Sequence, residues 1–207
     1  MSDSYKTIKD YSSDEFVEKR SRFIGYAKPV KTEDEALEFI NKIKKEHWDA
    51  RHNCYAYVLR DKNVKRYSDD GEPQGTAGVP MLEILDKNGI VDAVVVVTRY
   101  FGGILLGTGG LARAYSRGTK IAIEASGIIT MSVCAMCELS CTYNQYGKLN
   151  TLIMNCGGVV DDTDYSDSVK LSFHIPVDML ESLKKDILDA TSGEVQIGII
   201  DEKYYEI

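Results

Sequence analysis

The chain has 207 residues, of which 43% are hydrophobic and 28% charged, an ordinary composition for a globular protein with a sizeable core. Its net charge of −7 argues against a surface coated for nucleic-acid binding, and it contains no apolar run near the roughly 18 residues that cross a bilayer. Since it shows neither a signal-like N-terminus nor a dense cysteine framework, we expect a cytoplasmic protein of one or two domains.

The charge is distributed unevenly along the chain. Residues 136–207 carry 5 basic and 13 acidic side chains, whereas residues 1–135 carry 20 basic and 19 acidic ones. No acidic residue lies between Asp92 and Glu124. The cations of that segment are Arg99, Arg113, Arg117 and Lys120. We therefore expect a locally positive field within an acidic protein.

The first part of the chain alternates between strand-like and helix-like patterns. Thr32 and Glu35 form a capping box that predicts the start of a helix, and the valine run before Thr98 predicts a buried strand. The predicted elements, in chain order, are one or two strands within residues 5–30, a helix over 32–46, a strand over 53–59, a turn-rich segment over 66–80, a short helix or strand over 81–85, a strand over 90–98, and a helix over 111–125 that ends at Gly127.

The last part of the chain contains a second set of alternating elements. They are a strand over 136–142, a helix over 144–155, strands over 159–164 and 169–175, a helix from Pro176 to about Leu188, and a strand over 195–200. The order βαββαβ is the ferredoxin-like pattern. The sequence thus predicts an α+β protein with one domain over residues 1–133 and a ferredoxin-like domain over residues 134–207.

The segment RYFGGILLGTGG, residues 99–110, holds five glycines between a predicted strand and a predicted helix. It lacks the lysine of a phosphate-binding P-loop, and Ala112 stands where a dinucleotide fingerprint needs its third glycine. The glycines are explained by close backbone passage and positive φ angles. Amides near Gly109 and Gly110, with Arg113 and Arg117 one and two turns on, also suit an anion. Solvated arginines are the plainer interpretation of that face.

A second candidate site is the acidic turn SDDGEP, residues 68–73. Asp69, Asp70 and Glu72 suit a hard cation or acid–base chemistry, with His52 as a possible assistant. Asp-Gly and Glu-Pro are also turn formers in their own right, which favours a solvent-exposed turn. The candidate catalytic residues are therefore His52, Asp69, Asp70 and Glu72.

The cysteines favour structural roles. Cys54 falls on the apolar face of its predicted strand, as expected for a buried thiol rather than a nucleophile. The pair Cys134 and Cys137 has zinc-like spacing, but no turn separates the two residues and no second pair follows. We expect neither a metal site nor a cofactor.

Three segments together carry a family resemblance: ARHNCYAY at residues 50–57, YSDDGEPQGTAGVP at 67–80, and VTRYFGGILLGTGGLARAY at 97–115. They strongly resemble the IMPACT family, in its bacterial YigZ-like branch, and the likeness covers most of residues 15–130. The resemblance implies an N-terminal α/β domain of the ribosomal-protein and elongation-factor kind. It also implies a ferredoxin-like C-terminal domain similar to the last domain of elongation factor G.

The resemblance also implies a function and a shared surface. Eukaryotic relatives act as translational regulators, and the bacterial branch is expected to associate with RNA or the ribosome. The residues of the family-signature surface are Arg51, His52, Ser68, Asp69, Asp70, Gly71, Glu72, Pro73, Gly75, Thr76, Gly78, Tyr100, Gly102, Gly103 and Gly107.

Three hypotheses follow. The leading one is a non-enzymatic regulator that binds RNA, the ribosome or a translation factor, with no membrane partner and no reading of DNA sequence. The residues that would contact phosphates or other anions are Arg99, Gly109, Gly110, Arg113, Arg117 and Lys120. The second is a metal-assisted hydrolase or transferase that uses the acidic turn. The third is a pure protein-interaction module.

Overall fold

The computed structural model describes residues 4–207 and divides into two compact units, residues 5–130 and residues 131–207, the latter together with Ser4. The elements up to the boundary are β1 (Tyr5–Ile8), β2 (Ser12–Glu18), β3 (Ser21–Pro29), α1 (Glu33–Glu46), β4 (His52–Leu59), β5 (Val64–Ser68), α2 (Gly78–Asn88), β6 (Ala93–Tyr100) and α3 (Thr108–Ser126). Strand β7 (Ile128–Cys141) crosses the boundary. The elements after it are α4 (Tyr143–Asn155), β8 (Val159–Tyr165), β9 (Val169–Pro176), α5 (Val177–Ala190) and β10 (Gly198–Glu206).

The first unit is built on an antiparallel sheet with strand order β2-β3-β6-β4-β5. Its central strand β6 is buried on both faces. Val95 and Val97 pack in one core cluster with Tyr115 of α3, and Val94 and Val96 pack in another with residues of α1. Burial on two faces explains why this strand is a continuous valine run rather than an alternating one.

Helix α3 lies close to the sheet because glycines line the contact. A Cβ atom added to Gly118 would lie 2.9 Å from Cγ1 of Val97, and one added to Gly25 of β3 would overlap the carbonyl group of Gly118. A Cβ on Gly102 would overlap the carbonyl group of Arg20 in the β2–β3 turn. Close backbone passage, one of the two roles predicted for the loop glycines, is therefore present at Gly102.

The second unit has the predicted βαββαβ order, and its antiparallel sheet runs β8-β9-β7-β10. This is the ferredoxin-like arrangement, with α4 and α5 contributing to a single core cluster that includes Leu149, Leu183 and Phe173. The α+β class predicted from the sequence is confirmed. No helix within residues 4–207 is long and apolar enough to cross a membrane.

Several predicted bounds need correction. The segment 5–30 holds three strands rather than one or two, and β5 lies in a stretch for which no strand was predicted. The ambiguous segment 81–85 is helical, as part of α2, which starts already at Gly78. The last strand is Gly198–Glu206 and not 195–200, while Val195 is buried in the core of the second unit.

Candidate functional site

Asp69 of the acidic turn caps helix α2. Its Oδ1 atom accepts hydrogen bonds from the amides of Ala77 and Gly78, both at 2.9 Å, and its Oδ2 atom accepts one from Gly75 at 2.8 Å. These amides belong to the first turn of α2 and to the chain leading into it, where helical partners are lacking. The carboxylate is thus committed to three backbone donors, which explains why the helix begins inside a segment rich in turn-forming residues.

Asp70 connects strand β4 to helix α1 through its side chain. Its Oδ2 atom accepts from the amide of Asn53 at 2.7 Å, and its Oδ1 atom accepts from Nζ of Lys44 at 2.6 Å. Its carbonyl oxygen lies 2.8 Å from Nδ1 of His52. Because a carbonyl oxygen can only accept a hydrogen bond, Nδ1 of His52 carries the hydrogen and is the donor. His52 therefore presents its other ring nitrogen, Nε2, toward Glu72, 3.7 Å from Oε1.

Glu72 is the carboxylate of the acidic turn that lies in the interior. Its side chain is 4% exposed, and Oε1 accepts from Nη1 of Arg99 at 2.6 Å and from the hydroxyl of Tyr115 at 2.8 Å. The Arg99 side chain is 5% exposed. Its Nη2 atom lies 3.4 Å from Oγ of Ser21, while its Nε–H has no acceptor among residues 4–207. An unmet buried donor costs roughly 1–3 kcal/mol.

These contacts bear on the expectation that Arg99 contacts phosphates or other anions together with Arg113, Arg117 and Lys120. Strand β6 places the Arg99 side chain beneath the surface, where Glu72 neutralises it. The other three cations lie on the exposed face of α3. The difference is one of burial, which the charge pattern alone does not encode.

Burial also keeps the neighbouring Tyr115 hydroxyl and Cys54 thiol protonated. It raises the pKa of the Tyr115 hydroxyl far above its usual range, with contributions from Cys54 and Glu72. Burial likewise raises the pKa of Cys54 strongly, and the thiol donates to the carbonyl of Asp69 at 3.0 Å. Cys54 is therefore a neutral, fully buried thiol, as predicted, and not a thiolate nucleophile.

Above the Arg99–Glu72 pair lies a pocket of about 400 Å³, which we call the Arg99 pocket. Its lining residues are Arg51, His52, Glu72, Pro73, Arg99, Phe101, Leu105, Leu106, Gly107, Thr108 and Leu111. Charged side chains form one part of its wall, and apolar side chains with the start of α3 form the rest. The acidic turn and the RYFGG segment thus meet in one concave site.

The remaining signature residues mostly shape this region. The Ser68 hydroxyl accepts from the amide of Asp70, and the Thr76 hydroxyl donates to the carbonyl of Pro73. Tyr100 lies apart from the pocket lining, with its hydroxyl 2.9 Å from Nδ1 of His47 and 3.0 Å from Oδ1 of Asp49. The left-handed backbone positions among these residues are Asp70, Gly71, Gly75, Gly103 and Gly107.

The outer face of α3 forms a second site, which we call the α3 basic face, consisting of Arg113, Arg117 and Lys120. Gly110, Arg113 and Arg117 line a groove of about 220 Å³, and all three cations border another of about 560 Å³. The Arg117 guanidinium lies 4.3 Å from the centre of the Phe16 ring, in a cation–π contact.

A further cation next to the α3 basic face was not predicted from the sequence. Lys19, in the turn between β2 and β3, lines the same groove as Arg113 and Arg117. Some 94 residues separate Lys19 from Arg113 along the chain, and the packing of α3 on β2 brings them together. A local charge count therefore had no signal for it.

No group of three or more His, Cys, Asp or Glu side chains within residues 4–207 is arranged to hold a metal ion. Cys134 and Cys137 are separate buried thiols on β7. Glu72 and His52 are the candidate catalytic residues that line the Arg99 pocket, whereas Asp69 and Asp70 are bound by backbone amides and Lys44.

Fold and sites together define a class: a two-domain α+β protein whose first domain presents a basic helix next to a mixed polar and apolar pocket. The sequence model of the Impact N-terminal domain matches residues 19–123, and that of a domain of unknown function, DUF1949, matches residues 139–194. The chain belongs to the IMPACT family.

Individual relatives extend over nearly the whole chain. It is 39% identical over 198 residues to the IMPACT family member YvyE of Bacillus subtilis, covering 95% of this chain and 91% of that one. It is 36% identical over 187 residues to the IMPACT family member YigZ of Escherichia coli, covering 89% and 92%. A crystal structure of a hypothetical protein superposes with a TM-score of 0.61 at 33% identity, covering 98% of this chain and 100% of that one.

Proposed function

We propose that the protein is a non-enzymatic, translation-associated regulator that binds RNA through the α3 basic face. The observation that carries the proposal is the set of three exposed cations on one face of α3, in a chain whose net charge is −7. The translational context is the one that the family resemblance implies.

The spacing of the cations suits a polyanion. Arg113, Arg117 and Lys120 recur at helical intervals, so their side chains project from one stripe about 10 Å long. A nucleic-acid strand in a duplex presents a phosphate about every 3.4 Å along the axis, so the stripe can contact more than one. None of the three forms an ion pair with a residue of the described chain, which leaves their charge available.

The neighbourhood of the stripe supports the same ligand. Phe16 holds the Arg117 guanidinium by stacking, which reduces the conformational entropy lost when a phosphate binds. Lys19 adds a third cation, beside Arg113 and Arg117, to the groove of about 220 Å³. The net negative charge lies in the second unit, where residues 136–207 carry 13 acidic and 5 basic side chains. This excess disfavours contact with nucleic acid there and restricts binding to the first unit.

The test is a salt titration of RNA binding. Fluorescein-labelled single-stranded RNA of about 20 nucleotides and purified ribosomes are titrated with the full chain between about 50 and 300 mM salt, and affinity is followed by anisotropy and by co-sedimentation. Replacing Arg113, Arg117 and Lys120 together with Gln should flatten the slope of log affinity against log salt by about 2 to 3.

The matched control replaces Lys148, Lys185 and Lys203, three exposed lysines of the second unit, with Gln. It changes the net charge equally and should leave the slope unaltered. An affinity that does not change with salt concentration, or no binding of RNA or ribosomes at the lowest salt, would refute the proposal. Capture of a translation factor that survives nuclease treatment would instead favour the protein-interaction module.

A further inference from the structure

We propose that the Arg99 pocket is a second, independent binding site that takes an organic monoanion: a carboxylate attached to an apolar body. The carboxylate binds at the start of α3 beside Arg51 and Arg99, and the apolar body covers Phe101 and Leu105. This site is separate from the α3 basic face, since the two share no lining cation.

The anion end is defined by the start of α3. The residue before the helix is Gly107, at φ +72°, which has no side chain with which to cap the first turn, and that turn contains no acidic residue. Helix N-terminal amides carry partial positive charge and bind anions. Independently, the Arg99 side chain, which lines the pocket at 5% exposure, has an Nε–H with no acceptor among the described residues.

The charge of the ligand follows from the charges that line the pocket. Arg51 and Arg99 supply two positive charges and Glu72 one negative charge, so the wall has a balance of +1 when His52 is neutral. A monoanion neutralises this wall. A dianion such as a phosphate monoester would add a second negative charge facing Glu72, at an energetic cost.

The apolar part of the ligand is inferred from the apolar side chains that line the rest of the Arg99 pocket. Phe101 is 46% exposed and Leu105 is 81% exposed, and both line the pocket together with Leu106 and Leu111. Covering this surface removes apolar area from water, which favours binding. The volume of about 400 Å³ falls within the range of about 300–1,000 Å³ usual for small-molecule sites.

The first experiment is an NMR titration of the ¹⁵N-labelled full chain with phenylacetate and with its neutral isostere phenylacetamide. Phenylacetate should shift the amides of Gly107 and Thr108, which line the pocket. Phenylacetamide should bind at least about tenfold more weakly because charged hydrogen bonds are lost. Inorganic phosphate should bind more weakly than phenylacetate. Equal affinity for the acid and the amide, or shifts confined to other regions, would overturn the proposal.

A matched pair of variants tests the location. Thr108→Asp adds a carboxylate that occupies the positive end of α3 itself, so it should remove phenylacetate binding while raising the melting temperature slightly. The near-isosteric Thr108→Asn should keep the affinity within about twofold. Leu105→Ala, at an exposed position, should weaken binding by several-fold through lost apolar contact. Undiminished binding by both Thr108→Asp and Leu105→Ala would overturn the proposal.

A last comparison separates the two sources of such an anion. N-acetyl-leucyl-phenylalanine and its C-terminal amide are titrated in the same way. Tighter binding of the peptide acid than of phenylacetate assigns the site to a C-terminal carboxylate, and weaker binding assigns it to a small free acid; both support the monoanion site. The Gln variant of Arg113, Arg117 and Lys120 should bind these acids normally, so failure of RNA binding does not affect this result.

Discussion

The Nη1 atom of Arg99 lies 2.6 Å from Oε1 of Glu72, and both side chains are almost completely buried. The pair joins the end of β6 to the acidic turn before α2 and forms the floor of the Arg99 pocket. Tyr115 adds a hydrogen bond to the same oxygen. A buried ion pair of this kind binds its two segments together, because removal of either partner leaves an isolated charge in the interior.

We therefore expect Glu72→Gln to be strongly destabilising. The change leaves the Arg99 guanidinium buried without a counter-charge, at a cost of about 3–5 kcal/mol. The loss is measured as the decrease in the free energy of unfolding in urea, and an unchanged m value shows that stability alone has changed. The matched control is Glu83→Gln on α2, which removes an exposed i,i+4 pair with Lys87 and should cost less than about 0.5 kcal/mol. Equal small effects of the two changes would contradict this account.

Asp69→Ala should lower stability through loss of a helix cap. The carboxylate accepts hydrogen bonds from three amides in the first turn of α2 and the chain leading into it. Removal of a helix cap costs about 0.5–2 kcal/mol. Asp69→Asn keeps one oxygen acceptor and should cost less. Asp167→Ala, in the exposed acidic turn of the second unit, is the control. If Asp69→Ala left the urea midpoint unchanged, the capping role would be wrong and a chemical role for the carboxylate would regain support.

Two neighbouring glycines should respond differently to alanine. Gly102→Ala places a methyl group on the Arg20 carbonyl, and overpacking of this kind costs about 1–3 kcal/mol or more. Gly103 has open space around it but a φ of +83°, so Gly103→Ala should cost only about 1 kcal/mol from backbone strain. Thermal and urea unfolding of the two variants give the order directly, and the reverse order would contradict the close-passage argument.

Alkaline pH should weaken the first unit. Burial raises the pKa of Tyr26 to about 12 and that of Tyr57 to about 12, above the ordinary value of about 10. Because the folded pKa exceeds the unfolded one, the stability from these neutral hydroxyls is complete below about pH 10 and is lost as the pH rises to about 12.

The check compares the chain with its Tyr26→Phe, Tyr57→Phe double variant. The free energy of unfolding of the parent should fall between about pH 10 and 12, and that of the variant should fall less steeply, because two fewer groups take part. The variant also loses the hydrogen bond from Tyr57 to Glu33, so the comparison concerns the slope and not the absolute stability. Identical slopes would show that these two hydroxyls do not titrate as described.

Local pattern determined much of the fold. The Thr32 cap, whose hydroxyl accepts from the amide of Glu35, and the periodicity after it place α1 within a residue of its observed start. The valine run predicts β6, and the βαββαβ order predicts the second unit. These succeed because a helical or strand period and a cap are encoded in residues that are close in sequence.

The missed elements depend on contacts that are distant in sequence or on weak local patterns. Strand β5 is an edge strand with largely exposed residues, so it lacks a hydrophobic pattern. Helix α2 starts at Gly78 because a carboxylate nine residues earlier, Asp69, binds its first amides. Turn-forming residue types in this stretch predicted a longer loop.

The sequence by itself determined the family, the α+β class, the glycine-dependent turn and the three cations of α3. Tertiary structure alone decided that Arg99, which looks like Arg113 in a charge count, is buried against Glu72, 27 residues away along the chain. It also decided that Lys19 lines a groove with Arg113 and Arg117, and that Thr108 shares a pocket with His52. The physical reason is that burial and charge pairing depend on which strands and helices become neighbours, and sheet topology sets those neighbours.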